Sequence, residues 1–351
     1  MNALQRCLEK VLHSSHLTEE EAVEAMRCLM SGEAPPAQVA AFLTALRMKG
    51  ETVEELSAFA RTMREFSLKV RPKVDGRLVD TCGTGGDRIK TFNISTVAMF
   101  VVAGAGVPVA KHGNRSVTSR AGSADVLEAL GAVIDLPPSE VERCLERVGV
   151  GFMFAPVFHP AMKHVAQVRR EMGIRTVFNV LGPLTNPAGA RAQLLGVFEP
   201  GLTEKLAMVL RELGCERAMV VHGLDGLDEF STLGETQVSE LLEGEVRTFR
   251  VRPEELGLER ARPGDLEGGG PVENARILLG VLGGERGPRR DIVLLNASAA
   301  LVVGGRISDL REGLQLGSEV LDSGRALEKL REFVKATGGD LGRMEELEGR
   351  K

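Results

Sequence analysis

The chain contains neither tryptophan nor tyrosine, and aromatic residues make up only 4% of its 351 residues. Proteins that hold single-stranded nucleic acid stack its bases on aromatic side chains, and this sequence offers only phenylalanine and histidine for that purpose. An excess of positive charge is missing too, because the formal net charge is −5. A mildly acidic surface does not attract a polyanion. We therefore expect no nucleic acid among the partners of this protein.

Long hydrophobic runs are also missing. Residues 97–110 form the longest apolar stretch, which falls short of the ~20 residues that cross a bilayer. Gly104, Gly106 and Pro108 interrupt it. The first residues, MNALQRCLEK, contain no apolar signal core. The sequence therefore predicts no membrane partner and a cytoplasmic location.

Cysteine is sparse, and its five positions are widely spaced without any CxxC pair: Cys7, Cys28, Cys82, Cys144 and Cys215. An odd, scattered set predicts neither a disulfide framework nor a zinc ribbon. Cys82 lies beside a glycine-rich segment, where a small apolar residue that ends a strand is a better interpretation than a nucleophile.

Two kinds of pattern divide the chain, whose length suits two domains better than one. Up to about residue 71 the apolar spacing is helical, and Thr18 with Glu21 forms a capping box. Beyond that point short apolar runs alternate with helical patterns, which is typical of an α/β domain with a largely parallel sheet. Strands are predicted at 77–81, 107–110, 132–136 and 218–222, with a hairpin across 236–251 and a helical stretch across 310–337.

The first motif is a glycine-rich loop, Gly83 to Asp87, directly after a predicted strand. Three glycines in four positions let main-chain N–H groups converge on one point, and such a concavity binds phosphate. The next helix begins Asn93-Ile94-Ser95-Thr96, where orphan N–H groups and the helix dipole also favour an anion. No Lys-Ser/Thr pair directly follows the glycines as it does in a Walker loop, and the dinucleotide fingerprint is absent. Loop and helix together favour a phosphate site over an ordinary tight turn.

The second motif is the polar loop Lys111 to Ser119, followed by Gly122-Ser123-Ala124-Asp125. It follows a predicted buried strand, and ligands gather at the carboxyl ends of strands in α/β folds. Its two cations, one amide and four hydroxyls suit a multiply charged phosphate ester. Taken alone, His112 fits a hydrogen-bonded structural residue better than a catalyst.

The third motif, Asp225 to Glu229, places neighbouring carboxylates in a loop after the strand predicted at 218–222. Such a group suits a hard cation such as Mg²⁺, which takes few protein ligands and bridges to substrate phosphates. Without the other motifs, exposed acids in a turn would be the simpler interpretation.

The fourth motif is Arg169-Arg170, near the end of a predicted helix, followed by Gly173-Ile174-Arg175-Thr176 and a run from Asn179 to Pro187. An arginine can bind a carboxylate with both arms of its guanidinium. For Arg170 an exposed surface position is the better interpretation.

Together these segments resemble anthranilate phosphoribosyltransferase. GTGGD, NIST, KHGNRSVTSRAGSADVLEALG, NVLGPLTNP and DGLDE match that family and occur in its order, and the resemblance covers almost the whole chain. It implies an α/β fold of the nucleoside phosphorylase and phosphoribosyltransferase type, with a small all-α N-terminal domain and a large domain around a mostly parallel sheet. The helical domain would comprise residues 1–71 with about 165–190, and the α/β domain residues 72–164 and 191–351.

The resemblance also implies substrates, a metal and an assembly. The chain would transfer phosphoribose from 5-phosphoribosyl-1-pyrophosphate to anthranilate in tryptophan biosynthesis, use Mg²⁺, and form a homodimer through its helical domains. It would bind the donor through Gly83, Gly86, Asp87, Thr91, Asn93, Ser95, Thr96, Lys111, Ser119 and Ser123. Anthranilate would meet Gly83, His112, Asn114, Arg169, Gly182 and Pro183, with Arg169 on its carboxylate. Ser95, Asp228 and Glu229 would reach the metal, and no residue would act as nucleophile or base.

Two alternatives compete with this interpretation. A pyrimidine nucleoside phosphorylase shares the fold and a similar GTGGD loop, but a different segment is expected there in place of GSADVLEALG. A non-enzymatic nucleic-acid-binding relative of the same fold predicts a basic surface and loss of the residues that bind anthranilate. The acidic composition and the presence of Asn114, Arg169 and the Asp228-Glu229 pair argue against the second alternative.

Overall fold

A twisted sheet forms the centre of the computed structural model, which describes residues 2–86, 89–116 and 120–349. Within these residues seven strands lie in the order β3-β2-β1-β4-β5-β6-β7. Their bounds are β1 Val79–Gly83, β2 Val109–Gly113, β3 Val150–Phe154, β4 Ala192–Gly196, β5 Arg217–Gly223, β6 Thr236–Leu242 and β7 Glu245–Val251. The first five strands pair in parallel, and the β6–β7 hairpin adds two antiparallel strands to β5.

Helices cover both faces of this sheet. The α-helices are α1 Ala3–Leu12, α2 Glu19–Ser31, α3 Pro36–Lys49, α4 Val53–Glu65, α5 Ile94–Gly104, α6 Ser123–Ala129, α7 Pro138–Val148, α8 Ala155–Phe158, α9 Lys163–Met172, α10 Phe178–Leu184, α11 Leu202–Glu212, α12 Pro271–Leu282, α13 Pro288–Val303, α14 Leu310–Asp322, α15 Arg325–Ala336 and α16 Leu341–Leu347. Short 3₁₀ turns lie at Pro160–Met162, Pro253–Leu256 and Pro263–Asp265. The arrangement confirms the predicted class, a helical N-terminal part joined to an α/β part with a mostly parallel sheet.

Local sequence signals fix the ends of the first four helices. The side chains of Asn2, Thr18 and Thr52 each accept a main-chain N–H three residues later, which satisfies an orphan donor at the start of α1, α2 and α4. Pro36 begins α3 with its φ angle already suited to a helix. Gly32 ends α2 in the left-handed conformation, with φ of 76°. These ends explain why the sequence predicts this region so closely.

A buried ion pair joins α3 to α4. Lys49 Nζ lies 2.7 Å from Glu55 Oε2, and both side chains are almost fully enclosed. The carboxylate also accepts the N–H groups of Leu17 and Thr52. Removal of one partner would leave an unpaired buried charge, so the pair fixes the relative position of these two helices.

Two hydrophobic cores lie on opposite faces of the sheet. On one face, residues of α1–α4 share a core with α9, α10, α11 and apolar side chains of β4 and β5. On the other face lie α5, α12, α13, α14 and α15. Helix α5 is apolar around most of its surface and is correspondingly enclosed. None of the described helices is both long enough and apolar enough to cross a membrane.

Three predictions of secondary structure were wrong. Residues 132–136 form no strand, because the N–H of Ala132 bonds back to Leu127 and that of Val133 to the Thr337 hydroxyl. The neighbour of β2 is instead β3, and both β3 and β4 were missed because each is a short five-residue segment without a clear apolar–polar alternation. The predicted helical stretch at 310–337 is two helices, since Gly324 adopts φ of 77° between them.

Four of the parallel strands end on a glycine at the same edge of the sheet. These residues are Gly83, Gly113, Gly196 and Gly223. At Gly196 an added Cβ would collide with the main-chain carbonyl of Asp228, and at Gly83 it would lie 2.8 Å from Asp228 Oδ2. The absence of side chains lets a loop rest directly on the strand ends.

Candidate active site

A cavity of about 360 Å³ opens at this glycine-ended edge of the sheet. Thirteen of the residues implied by the resemblance line it: Gly83, Gly86, Thr91, Asn93, Ser95, Thr96, Lys111, His112, Asn114, Ser123, Arg169, Asp228 and Glu229. Asp87 and Ser119 lie outside the described residues. A groove of about 720 Å³ lies at the opposite ends of the strands, but it contains none of the four motifs. The chemistry-bearing segments therefore converge on the smaller cavity.

Neighbouring segments hold the main chain of the glycine loop in place. The N–H of Gly85 donates to Asp228 Oδ2 at 2.7 Å, and the N–H of Thr84 donates to the carbonyl of Gly196 at 2.9 Å. The φ angles of Gly85 and Gly86 are 72° and 94°, a conformation that residues with side chains rarely adopt. The loop is thus fixed to the ends of β1 and β4.

Helix α5 begins at the cavity wall. Asn93 does not cap the helix with its side chain. Its amide instead donates to the carbonyl of Ala121 and accepts from Asn274, so it joins the loop before α6 to the first turns of α12. The buried Thr96 hydroxyl has no hydrogen-bond partner among the described residues. An eleven-residue helix that begins here supplies a positive dipole end.

Lys111 places a buried cation under the loop. It lies on β2, its side chain is almost completely enclosed, and Nζ donates to the carbonyl of Thr81 and to Ser95 Oγ. Burial lowers the pKa of this ammonium group, and the neighbouring Asp80 carboxylate opposes that change. Lys111 therefore orients the Ser95 hydroxyl and contributes positive charge to the cavity wall.

Asp80 is a buried acid to which the sequence assigned no role. Its Oδ1 accepts the N–H of His112 at 3.4 Å, whereas Oδ2 has no partner among the described residues. Burial raises the pKa of this carboxyl group to about 6. Its position after an apolar residue of a strand gave no signal that it would lie beneath the site.

His112 and His159 form a buried pair of neutral imidazoles. Their ring centroids lie 4.9 Å apart, and burial lowers the pKa of His112 to about 3 and that of His159 to about 4. His112 Nδ1 lies 3.2 Å from the carbonyl of Gly182. A carbonyl oxygen only accepts hydrogen bonds, so Nδ1 carries the proton. His112 thus meets the cavity as an uncharged ring.

Part of the charge in the polar loop after β2 stabilises the loop itself. Arg115 pairs with Asp125 and Glu128, and its guanidinium lies 5.5 Å from the centroid of Phe154. The same Asp125 accepts the N–H groups of Ser116 and Gly122, which closes the loop. Within the described part of this motif, Lys111 is the cation that faces the strand ends, whereas Arg115 is committed to the loop.

The carboxylates of the acidic loop have two different roles. Asp225 accepts the Ser231 hydroxyl at 2.7 Å and the N–H of Leu227, so it builds the turn. Asp228 and Glu229 line the cavity, and Asp228 is 8% exposed. The close approach to Gly83 and Gly196 brings both acids within the reach of the glycine loop.

A second wall of the cavity comes from α9 and α10. The Arg169 guanidinium lies 5.2 Å from the centroid of the Phe178 ring, and burial lowers its pKa without removing its charge. Arg170, the next residue, is exposed, as its surface interpretation expected. Arg175 and Asn179 line the same wall, although the sequence assigned them no role.

Gly182 and Pro183 lie behind the cavity wall and are not part of its lining. Both belong to α10. The carbonyl of Gly182 contacts His112, and that of Pro183 accepts the buried amide of Gln193 at 2.7 Å. In this structure both residues therefore support the wall through their main chain.

Comparison with known proteins finds relatives of the whole chain. Family models described as "Glycosyl transferase family, helical bundle domain" and "Glycosyl transferase family, a/b domain" match residues 5–67 and 75–327. The chain is 55% identical over 334 residues to the anthranilate phosphoribosyltransferase of Acetivibrio thermocellus, which covers 95% of this chain and 96% of that protein.

Solved structures agree with the sequence relatives. The crystal structure of anthranilate phosphoribosyltransferase from Thermus thermophilus has a TM-score of 0.90 and 48% identity, over 95% of this chain and 99% of that chain. The enzyme from Saccharomyces cerevisiae in complex with PRPP and Mg has a TM-score of 0.88 and 31% identity, over 95% and 98% of the two chains.

Proposed function

Because this chain belongs to the glycosyl transferase family and, within it, to the anthranilate phosphoribosyltransferases, we propose that it transfers phosphoribose from 5-phosphoribosyl-1-pyrophosphate to anthranilate. The products are N-(5-phosphoribosyl)anthranilate and pyrophosphate, and the reaction belongs to tryptophan biosynthesis. The observation that carries the proposal is the single cavity that joins a phosphate-type loop, an acidic pair and an arginine-bearing helical wall.

The donor binds at the end of the cavity built by the glycine loop, the start of α5 and Lys111. Main-chain N–H groups, a helix N-terminus and a buried ammonium group all favour a polyanion. We assign the donor to Gly83, Gly86, Asp87, Thr91, Asn93, Ser95, Thr96, Lys111, Ser119 and Ser123. The described members of this set line one cavity, which supports the assignment.

Anthranilate binds at the end of the cavity next to α9 and α10. Arg169 offers a forked cation for the carboxylate, and the neutral ring of His112 offers an uncharged surface for the aromatic ring. Asn114 and Gly83 complete the contact surface, with Gly182 and Pro183 behind it. The positive charge of Arg169 at a half-buried position supports this orientation.

The acidic loop suits Mg²⁺. Ser95, Asp228 and Glu229 supply an all-oxygen set that lines one cavity, and oxygen is the donor that Mg²⁺ prefers. The described residues contain no group of three or more His, Cys, Asp or Glu side chains that could hold a metal ion. Mg²⁺ commonly takes only one or two carboxylates, with substrate phosphates completing its shell, so this set fits. Bound Mg²⁺ supplies positive charge against the leaving pyrophosphate.

Catalysis rests on positioning. The amine nitrogen bonds to C1 of the ribose while the C1–O bond to pyrophosphate breaks, and the nitrogen then loses one proton. An aromatic amine is already a neutral nucleophile, so we assign no residue as nucleophile or base. Lys111, the loop N–H groups and the start of α5 stabilise the charge that develops on pyrophosphate, and the two walls hold the reactants in line.

Loss of anthranilate fluorescence tests the reaction. The purified protein is mixed with anthranilate, 5-phosphoribosyl-1-pyrophosphate and Mg²⁺, with omission of each substrate and addition of EDTA as controls. We expect loss that needs both substrates and the metal. No loss from folded protein would overturn the proposal, and thymidine phosphorolysis would then favour the nucleoside phosphorylase alternative.

We also propose a homodimer formed through the helical part. Leu12 and Met48 are 61% and 84% exposed on the neighbouring helices α1 and α3, which supports an apolar contact there. Light scattering should give twice the chain mass for the unaltered protein and a smaller mass for Met48→Glu. A monomeric unaltered protein would contradict this assembly.

The division of the chain into domains remains part of the proposal. A helical domain of residues 1–71 with about 165–190 is supported by the core that α1–α4 share with α9 and α10. The α/β domain would then comprise 72–164 and 191–351. The same core includes side chains of β4 and β5, so the two domains pack against each other extensively. A cytoplasmic location also remains a prediction of the sequence.

A further inference from the structure

Arg175 connects the helical part of the molecule to the glycine loop. It lies in the short segment between α9 and α10, and its main-chain carbonyl accepts a hydrogen bond from the Arg47 guanidinium on α3. Its side chain extends in the other direction, to the cavity wall. One residue is thus held by the helices through its main chain and contacts the sheet edge through its side chain.

The guanidinium group of Arg175 is held by two contacts. Its central carbon lies 4.2 Å from the centroid of the Phe198 ring, and Nη2 donates to the carbonyl of Gly86 at 3.3 Å. An added Cβ on Gly86 would collide with Nη2, which shows how closely the loop approaches the cation. A planar guanidinium can stack on a ring and donate in its own plane at the same time.

Phe198, whose ring stacks on Arg175, is itself bound to the loop through its main chain. The N–H of Phe198 donates to Thr84 Oγ1 at 3.1 Å. Thr84 and Gly86 therefore both depend on contacts that meet at this pair, while Asp228 holds the intervening Gly85 from the other side. Phe198 does not line the cavity, so its own effect on substrates must act through its neighbours.

We propose that Arg175, stacked on Phe198, is a positioning residue that fixes the main chain of the glycine loop for the phosphoribosyl donor. The inference rests on the proposed function and adds to it a link between the two walls. Arg169, six residues earlier on α9, faces the acceptor end of the cavity. Arg175 therefore connects the acceptor wall to the donor loop.

Kinetics of Arg175→Gln test this role. We expect the KM for the donor to rise about tenfold, the loss of one charge-assisted hydrogen bond, with the KM for anthranilate changed less than about twofold. Arg175→Lys should recover part of the loss, because an ammonium group can donate to Gly86 but cannot stack as a plane. Arg170→Gln, an exposed neighbour on α9, should leave both constants unchanged.

Phe198→Leu separates positioning from direct contact with the donor. If Arg175 acts through the stack, this variant should also raise the donor KM selectively, and the double variant Arg175→Gln/Phe198→Leu should lose less than the product of the two single losses. A normal donor KM in Phe198→Leu would overturn the inference, since Arg175 would then act without stacking on the Phe198 ring. Equal effects on both substrates in Arg175→Gln would overturn it as well.

The melting temperature of each variant is measured alongside the kinetics. If Arg175→Gln fails to fold, the donor KM of Arg175→Lys and Phe198→Leu decides the question by the same criterion. If the unaltered protein consumes no anthranilate, the proposed function fails. An active unaltered protein with normal donor KM in all three variants would leave that function intact and refute the role of Arg175.

Discussion

The two ends of the cavity are built from different parts of the polypeptide. The end that we assign to the donor is largely main chain, with a glycine loop, a helix start and strands that end on glycine. The end that we assign to the acceptor is built from side chains, with Arg169 of α9 and His112 of β2 each in contact with α10. A main-chain wall is damaged by adding atoms and a side-chain wall by removing them, so the two ends should respond to opposite kinds of substitution, except at the buried side chain of Lys111.

Gly196→Ala should have the largest effect at the donor end. The new methyl group would collide with the Asp228 carbonyl and displace the acidic loop. Overpacking of this kind costs about 1–3 kcal/mol, and we expect kcat/KM for the donor to fall more than about a hundredfold because both acids move. Gly201→Ala is a matched control, since nothing lies within reach of its Cβ. Similar kinetics for the two variants would contradict the main-chain description.

Lys111→Met should follow in size. Removal of the buried ammonium group leaves the Thr81 carbonyl and the Ser95 hydroxyl without their donor, and charge on the leaving group is no longer offset. We expect kcat to fall about a hundredfold, in the range of other electrostatic groups. Lys163→Met, on the exposed start of α9, is the control, and steady-state kinetics at saturating substrates gives the comparison.

Arg169→Ala tests the side-chain end. Loss of the forked cation should raise the KM for anthranilate about tenfold or more, with much less change in the KM for the donor. Arg170→Ala should change neither constant, because its side chain is exposed. Equal effects on both substrates in Arg169→Ala would show that the two ends are not independent.

A pH series of melting temperatures should show the smallest effect. His159 has its pKa lowered to about 4 by burial, so the folded chain resists protonation that the unfolded chain accepts below the ordinary histidine value of about 6.5. The contribution of His159 is therefore complete above about pH 6.5 and declines as the pH falls toward 4.

Substitution of His159 should reduce this loss. We expect the difference between melting temperatures at pH 7 and pH 5 to be smaller for His159→Gln than for the unaltered chain. His13→Gln, at an exposed histidine, is the control. An unchanged difference would show that burial does not lower the pKa of His159 in the folded protein.

The sequence predicted the parts of the molecule whose signals are local. Thr18 and Thr52 start helices through contacts three residues away, and the GTGGD loop follows its strand directly. The third and fourth strands could not be predicted, since a five-residue, mostly apolar segment fits a strand and a short helix equally well. The role of Asn93 as a bridge between a loop and α12 depends on Asn274, which is 181 residues distant in sequence.

The same limit applies to the site. The four motifs predicted which segments line the cavity. They did not predict which residues of a motif face the cavity and which hold the loop. Arg115 and Asp225 are charged residues of the kind that bind ligands, but in the structure their side chains hold loops. Gly182 and Pro183 match the family run, yet they lie one layer behind the wall. These distinctions depend on side-chain direction, which no spacing in the sequence records.

The four strand-terminal glycines have a consequence for mutational scanning. At Gly83, Gly113, Gly196 and Gly223 every alternative residue adds atoms, and in each case an added Cβ would meet a neighbouring group within 3 Å. Whether a substitution is tolerated at these positions should therefore depend on the volume of the new side chain and not on its charge or polarity. In a complete substitution library, variants at all four positions should be depleted whatever the new residue is. Sequencing counts alone would then identify this edge of the sheet.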